Sequence, residues 1–417
     1  MKNILSKIKN NYLLIYVIIN LIYILIGSVL KTYGVIKYGT FSYGYIVLLS
    51  INILIILILF LKKKYRKNII DIFLLLIIVF AGISTIFAYS PNKALFGEWM
   101  RYEGLFTICY YITLVYVTSY LKKEDRIKIV YAILIFGFIQ CIYGICQKLD
   151  LFNVKTRIKN NSRWASGFVA NRAFFCSLML ICLCYSIGLF IESKDRLKIA
   201  IFLILTYIFT IGLLISKAKS CFIALLLIMV LLLIYCIKFK LIKKYIILWV
   251  VLIFTGFLMQ ILNLTPVIEF FSNTTSQVVE VSKGNISDDL GNKRIGLWKE
   301  TIKLVPDNII TGVGVDNFYN INNGNPIVVG TARYDKAHNE YLQILATMGI
   351  FSLISYLCLH FIIIKNGIKN AFKNKEIYLI LPVIGYIIQA QFNISVITVA
   401  PLFYIGLGLL VYREKKK

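Results

Sequence analysis

The chain has 417 residues, 59% of them hydrophobic, with a mean hydropathy of +0.80 and a formal net charge of +27. That apolar content excludes a soluble globular protein, so the length is read as one polytopic membrane domain, 1–417, not as two or three soluble domains. The positive charge does not imply a nucleic-acid partner. Basic clusters punctuate the apolar runs: Lys62-Lys63-Lys64 with Arg66-Lys67, Lys122-Lys123 with Arg126, Lys238-Lys240-Lys243-Lys244, and Arg413 with Lys415-Lys416-Lys417. Cytoplasmic flanks that obey the positive-inside rule have this pattern.

Twelve apolar segments have the length needed to cross a bilayer: 12–30, 43–61, 69–89, 104–121, 127–147, 170–191, 198–215, 220–237, 245–263, 339–364, 376–390 and 394–412. The first follows Lys2, Lys7 and Lys9 without a small-residue cleavage site, which predicts a retained helix and not a signal peptide. An even number of spans puts both termini on one side. That side, with loops 62–68, 122–126, 192–197, 238–244 and 365–375, collects the larger share of the Lys and Arg, and is predicted to be cytoplasmic. The fold class predicted is an all-α polytopic membrane protein of about twelve transmembrane helices. It carries one large, partly helical extracytoplasmic loop, 264–338.

That loop is far longer than a connection requires, as functional or disordered loops are. Apolar residues at helical spacing around Arg294-Ile295-Gly296-Leu297-Trp298 predict folded structure there. The Ser-, Asn- and Thr-rich stretch 272–293 predicts a mobile start. All nine cysteines (109, 141, 146, 176, 182, 184, 221, 236, 358) fall in or beside apolar runs. They read as buried thiols and imply neither a disulfide framework nor a metal site. Charged residues are nearly absent from mid-span positions, whereas ion-coupled transporters place ionisable groups at the midplane.

Four features carry candidate chemistry. His338 is one of only two histidines, at the junction of the long loop and a membrane helix. Imidazole titrates nearest neutrality and suits a general base. Asp335, three residues earlier, is an acceptable N-cap for a helix starting at 336–338, and a histidine in that first turn would be kept neutral by the helix dipole. Arg294 lies four residues before Trp298, on the same helix face, with a planar fork of donors suited to phosphate. Lys217 and Lys219 sit in a very short outer turn where they could hold an anionic head group. Arg101, in Glu98-Trp99-Met100-Arg101-Tyr102-Glu103-Gly104, is joined at the next outer loop by Arg163, Trp164 and Arg172. Each also has a plain reading: an interface histidine, a snorkelling cation, a helix flank, an aromatic belt. The residues alone leave both readings open.

Ala337-His338-Asn339-Glu340-Tyr341-Leu342-Gln343 is followed by Met348-Gly349. The Arg294…Trp298 helix leads to Gly312-Val313-Gly314-Val315-Asp316-Asn317-Phe318. With Ser166-Gly167-Phe168-Val169-Ala170-Asn171, these blocks resemble the O-antigen ligase/polymerase superfamily of bacterial membrane glycosyltransferases. Arg101-Tyr102-Glu103-Gly104-Leu105 resembles a variant of Gram-positive members, and the resemblance spans about 90–412. It implies a metal-independent, inverting transfer from an undecaprenyl-diphosphate-linked glycan to a hydroxyl of a glycan, lipid or protein, without a cofactor. His338 would be the base. Arg294, Lys219, Lys217, Arg101 and Arg172 would bind the lipid diphosphate, with Asn339, Glu340, Trp298 and Asn171 in support. Where the family often has Ser-Arg-Gly, this chain has Ala218-Lys219-Ser220, and lysine keeps the charge but loses the fork.

Two rivals remain. A flippase or exporter of lipid-linked sugars would have cations lining the membrane interior. A metal-dependent lipid-sugar transferase commonly needs carboxylates in an early outer loop, and 31–42 has none.

Overall fold

The computed structural model describes residues 2–62, 66–99, 101–154, 157–159, 162–169, 171–284, 287–411 and 413. Lys63, Lys64, Met100, Ala170 and residues 415–417, named above, lie outside the described residues. The apolar segments fold as helices: α1 (Lys2–Thr32), α2 (Tyr38–Leu61), α3 (Ile69–Ile86), a short α4 (Pro91–Phe96), α5 (Leu105–Ser119), α6 (Lys123–Leu149), α7 (Arg172–Glu192), α8 (Arg196–Ser216), α9 (Lys219–Lys238) and α10 (Ile242–Ile261). The long loop adds α11 (Val267–Ser282) and α12 (Leu290–Leu304), and the chain closes with α13 (Glu340–Asn374), α14 (Ile377–Ala390) and α15 (Ala400–Leu410).

Nine helices among the described residues are long and apolar enough to cross a membrane. The fold is therefore an all-α polytopic membrane protein. The other three predicted segments appear as the shorter apolar helices α5, α14 and α15. Segment 394–412 becomes helical only at Ala400. At about 1.5 Å per residue, these three helices do not cover a hydrocarbon core of roughly 30 Å by themselves.

α7 is the central helix. Its whole apolar window is buried, it packs on α8 and α14, and it is hydrophobic all round, as a fully enclosed helix must be. α3 packs on α13, and α5 on α2 and α15. At the far end, Arg413 pairs with Asp71 and donates from Nε to Ser119 Oγ at 2.6 Å, tying the tail to α3 and α5.

The long loop is folded. Leu297, Phe318, Ile327, Val329, Ala337 and Leu342 belong to a second hydrophobic core of its own. Strands β3 (Ile327–Val329) and β4 (Ala332–Tyr334) form an antiparallel hairpin in register Val328↔Arg333, and β3 packs on α12. A first hairpin, β1 (Arg157–Lys159) and β2 (Ser162–Trp164), precedes α7. The stretch predicted to be mobile is helical as far as Ser282. α11 turns Val267, Ile268 and Phe271 towards α8, α9 and α10, where they line one apolar cavity.

One interlock positions the site. α13 is broken at Gly349 (φ 79°, ψ 176°), which frees the carbonyls before the break. The Gly312-Val313-Gly314 strand fills it: Val313 N donates to Ala346 O at 3.1 Å and Gly314 N to Thr347 O at 3.1 Å. Ile350 N returns a bond to Ile309 O at 2.8 Å. A Cβ on Gly312 would lie 2.3 Å from the Thr347 carbonyl carbon, and one on Gly349 2.1 Å from Ile310 O. Both residues have positive φ, so only glycine fits either position.

Candidate functional site

His338 lies between β4 and α13 in a left-handed backbone conformation, φ 48°. The cap is not Asp335 as predicted. Asn339 is the N-cap, its Oδ1 accepting from Leu342 N at 3.0 Å, and α13 begins at Glu340. His338 is thus just outside the helix. Asp335 instead takes Arg101 Nη2 at 3.3 Å. Burial holds the His338 imidazole down to about 4; the Arg294 and Arg101 charges add to this, Asp335 opposes it, and Lys336 lowers it further. Burial and neighbouring cations therefore favour the neutral ring, and His338 lies just before the N-cap and not in the first turn. His338 Nδ1 is buried with no hydrogen-bond partner among the described residues, and the Tyr334 ring meets the imidazole edge-on at 5.9 Å.

Three consecutive left-handed residues, Gly291, Asn292 and Lys293, precede the regular part of α12, whose first residue is Arg294. The Arg294 guanidinium is half-buried. Burial lowers its pKa from the ordinary value, Tyr334 works against this, and Arg172 lowers it further. Arg172 opens α7, where Asn171 is the N-cap, its Oδ1 accepting from Ala173 N at 2.8 Å. Asn171 therefore acts on the helix that carries Arg172. Arg101 lies over the Phe174 ring at 6.0 Å, which draws it to the same end of α7. Arg294, Arg101 and Lys336 all act on His338, and Arg172 acts on Arg294. No contact of Lys217 among the described residues places it beside them. It is the left-handed C-cap of α8, φ 53°. Lys219 turns to α11, its Nζ 3.4 Å from Asn273 O.

Trp298, one turn along α12 from Arg294, donates from Nε1 to Ala337 O at 3.0 Å. Its ring lies 6.0 Å from that of Phe392. Gln343, the last residue of the histidine block, accepts from Ala337 N through Oε1 at 2.9 Å. Glu340 turns inward: its carboxylate accepts from Tyr356 and, at 3.4 Å, from Tyr386. It lines a cavity of about 60 Å³ with Arg101, Glu103, Asp316 and Lys336. Burial pushes the Glu103 carboxyl up, against hydrogen bonds from Ser395 (2.5 Å) and Tyr111 (2.8 Å) and the charges of Lys336 and Arg101.

Sequence reasoning missed Asp316 and Lys336, which form a buried ion pair. Asp316 Oδ2 also accepts from Glu98 N at 2.6 Å and Glu103 N at 3.3 Å, so one carboxylate holds both ends of the loop that carries Arg101. The only signal was Asp316 closing the Gly-Val-Gly block, and its left-handed backbone (φ 56°) is one that Asp tolerates. Tyr102 and His338 also have positive φ, 56° and 48°.

The fold and site define a polytopic helical membrane protein with one folded loop that sets a neutral histidine among arginines. The family model for O-Antigen ligase matches residues 200–357, which include Arg294, Trp298 and His338. The match covers less than half of the chain and supports the resemblance to the O-antigen ligase/polymerase superfamily that its motifs carry. The family supports a membrane protein that ligates or polymerises glycans and acts on lipid-linked glycans. A search of curated proteins finds no match.

Proposed function

We propose that this protein is a glycosyltransferase that moves a glycan from an undecaprenyl-diphosphate donor to an acceptor hydroxyl at the outer face of the cytoplasmic membrane, for surface polysaccharide assembly. The observation that carries the reading is a half-buried imidazole, kept neutral by its burial, that feels the charges of Arg294 and of Arg101, the latter held at Asp335 three residues away. His338 takes the proton of the acceptor hydroxyl. The hydroxyl oxygen attacks the anomeric carbon from the face opposite the diphosphate, with inversion. The bond from that carbon to the diphosphate oxygen breaks, and undecaprenyl diphosphate leaves as an anion.

A diphosphate is a good leaving group, so its departure needs positive charge more than a proton. Arg294 supplies a fork at the start of a helix, where backbone N–H groups also favour an anion. Arg172 and Arg101 add charge. An apolar cavity of about 340 Å³ among α8, α9, α10 and α11, with walls that include Phe222, Trp249 and Phe271, suits an isoprenoid tail. No metal is required by this scheme. The positive-inside pattern puts both termini in the cytoplasm and 264–338 outside.

Purified protein given a lipid-diphosphate-linked glycan and an acceptor should release undecaprenyl diphosphate and form the longer glycan in EDTA. His338→Ala should lose about 10²–10⁴-fold in rate, the usual cost of removing a general base. Wild-type turnover by His338→Ala with saturating donor would sink the reading. Loss of activity in EDTA, restored by one divalent cation, would replace it with a metal-dependent transferase. In a deletion strain, single repeats with lost chain length mean a polymerase, and accumulated lipid-linked chains mean a ligase.

A further inference from the structure

The peptide groups around Ala337 are held from two helices at once. Ala337 is fully buried, yet its N–H and its C=O are both satisfied by side chains and not by secondary structure: Gln343 Oε1 accepts at 2.9 Å and Trp298 Nε1 donates at 3.0 Å. The next residue is His338, in a left-handed conformation uncommon for any residue but glycine. The peptide C=O fixed by Trp298 is the one joined to the His338 nitrogen, so this hydrogen bond acts directly on the φ axis of that residue. Trp298 lies on the same face of α12 as Arg294, one turn away. The ring is braced by Phe392, and Gln343 sits in the first turn of α13. One side chain therefore links the helix carrying the arginine fork to the peptide that sets the imidazole.

We propose that Trp298 and Gln343 are positioning residues that clamp the Ala337 peptide and so fix the spacing between the base and the arginine that binds the diphosphate. The inference rests on His338 as base and Arg294 as donor ligand. Both residues act through the Ala337 peptide, so their loss acts on the chemical step and not on donor binding.

Trp298→Phe keeps a braced ring and removes the Nε1 donor. Gln343→Leu keeps volume and removes the acceptor, while Gln343→Glu restores an acceptor. Each is assayed as full-length protein in detergent with undecaprenyl-diphosphate-linked glycan. Trp298→Phe and Gln343→Leu should lower kcat about tenfold to a hundredfold, the order of loss expected from a misplaced catalytic group. KM for the donor should stay within about twofold, because uniform binding is untouched. Gln343→Glu should recover most of the rate. Independently of turnover, the carbethoxylation rate of His338 by diethyl pyrocarbonate, read on its peptide by mass spectrometry, should rise in Trp298→Phe and Gln343→Leu. Wild-type kcat with an unchanged carbethoxylation rate in both would overturn the clamp. So would a raised donor KM at unchanged kcat. An active His338→Ala control would remove the base itself, and the clamp with it. A dead His338→Ala beside fully active clamp variants would overturn the clamp alone.

Discussion

Lys336 and Asp316 form an ion pair enclosed on both sides, with side chains 5% and 2% exposed, across twenty residues of sequence. The pair joins the segment that ends in His338 to the Gly-Val-Gly block. Through the second Asp316 oxygen it also reaches the loop bearing Arg101. Removing one member of a buried pair leaves the other charge uncompensated, which typically costs about 3–5 kcal/mol. Lys336→Met should lower the Tm of the detergent-solubilised protein accordingly. Asp316→Asn keeps one acceptor oxygen and a side chain that tolerates positive φ, so it should cost less than Asp316→Ala. An unchanged Tm for Lys336→Met would mean that water reaches the pair.

The break in α13 makes a separate prediction. A methyl at Gly349 or Gly312 meets backbone at under 2.5 Å and sits on positive φ. Strain and overpacking together should destabilise Gly349→Ala by on the order of 2–4 kcal/mol. Thermal unfolding of purified variants measures this. Gly324→Ala, where no atom lies within 4 Å, has only the φ penalty and should lose much less. Equal losses in the two would show that the interlock is not close-packed.

The pH response of His338 follows from its setting. Its value falls from 6.5 to about 4 on folding, so the folded state favours the neutral ring. The unfolded chain binds the proton more readily below 6.5. Stability from this group is therefore complete above pH 6.5 and is lost as pH falls from 6.5 towards about 4. The acid limb of kcat/KM should lie near pH 4 and not near 6.5. Arg294→Gln removes one of the charges that lower it and should move the imidazole titration, followed by NMR of the ring, upwards. A wild-type titration near 6.5 in the folded protein would contradict the burial seen here.

Sidedness is directly measurable. In a cysteine-free background, Asp288→Cys should react with a membrane-impermeant maleimide on intact cells. Its surface pair with Lys299 is exposed and worth little, so the substitution should be tolerated. Labelling only after permeabilisation would invert the predicted orientation.

The membrane helices were legible because their signal is local: uninterrupted apolar runs with basic flanks. All twelve segments are helical, though α5, α14 and α15 are shorter than the apolar runs that announced them. The shared face of Arg294 and Trp298 was legible from spacing, and so was the place of His338 where the long loop meets a helix. The cap was not. Asp335 and Asn339 are both good capping residues, and only the tertiary pairing of Asp335 with Arg101 decides between them. The helix α11 was not legible from its Ser, Asn and Thr, and its contact, Phe271 with Phe222 at 5.6 Å, depends on a distant helix. The partners of Asp316 and Ala337 could not be read at all. They join positions up to 218 residues apart, and no local pattern marks them.

The grip of Asp316 on Glu98 and Glu103 also limits how this protein can be recombined with relatives. The family match begins at residue 200, yet the loop bearing Arg101 hangs from a carboxylate inside that match. A chimera that exchanges 264–338 alone would pair an imported Asp316 equivalent with a resident 97–104 loop cut to a different pattern. The two backbone N–H groups would then lose their acceptor, and one arginine would lose its place. Donor segments for domain grafting should therefore carry both pieces together, and natural exchange between related genes should succeed most often when its crossover points keep them paired.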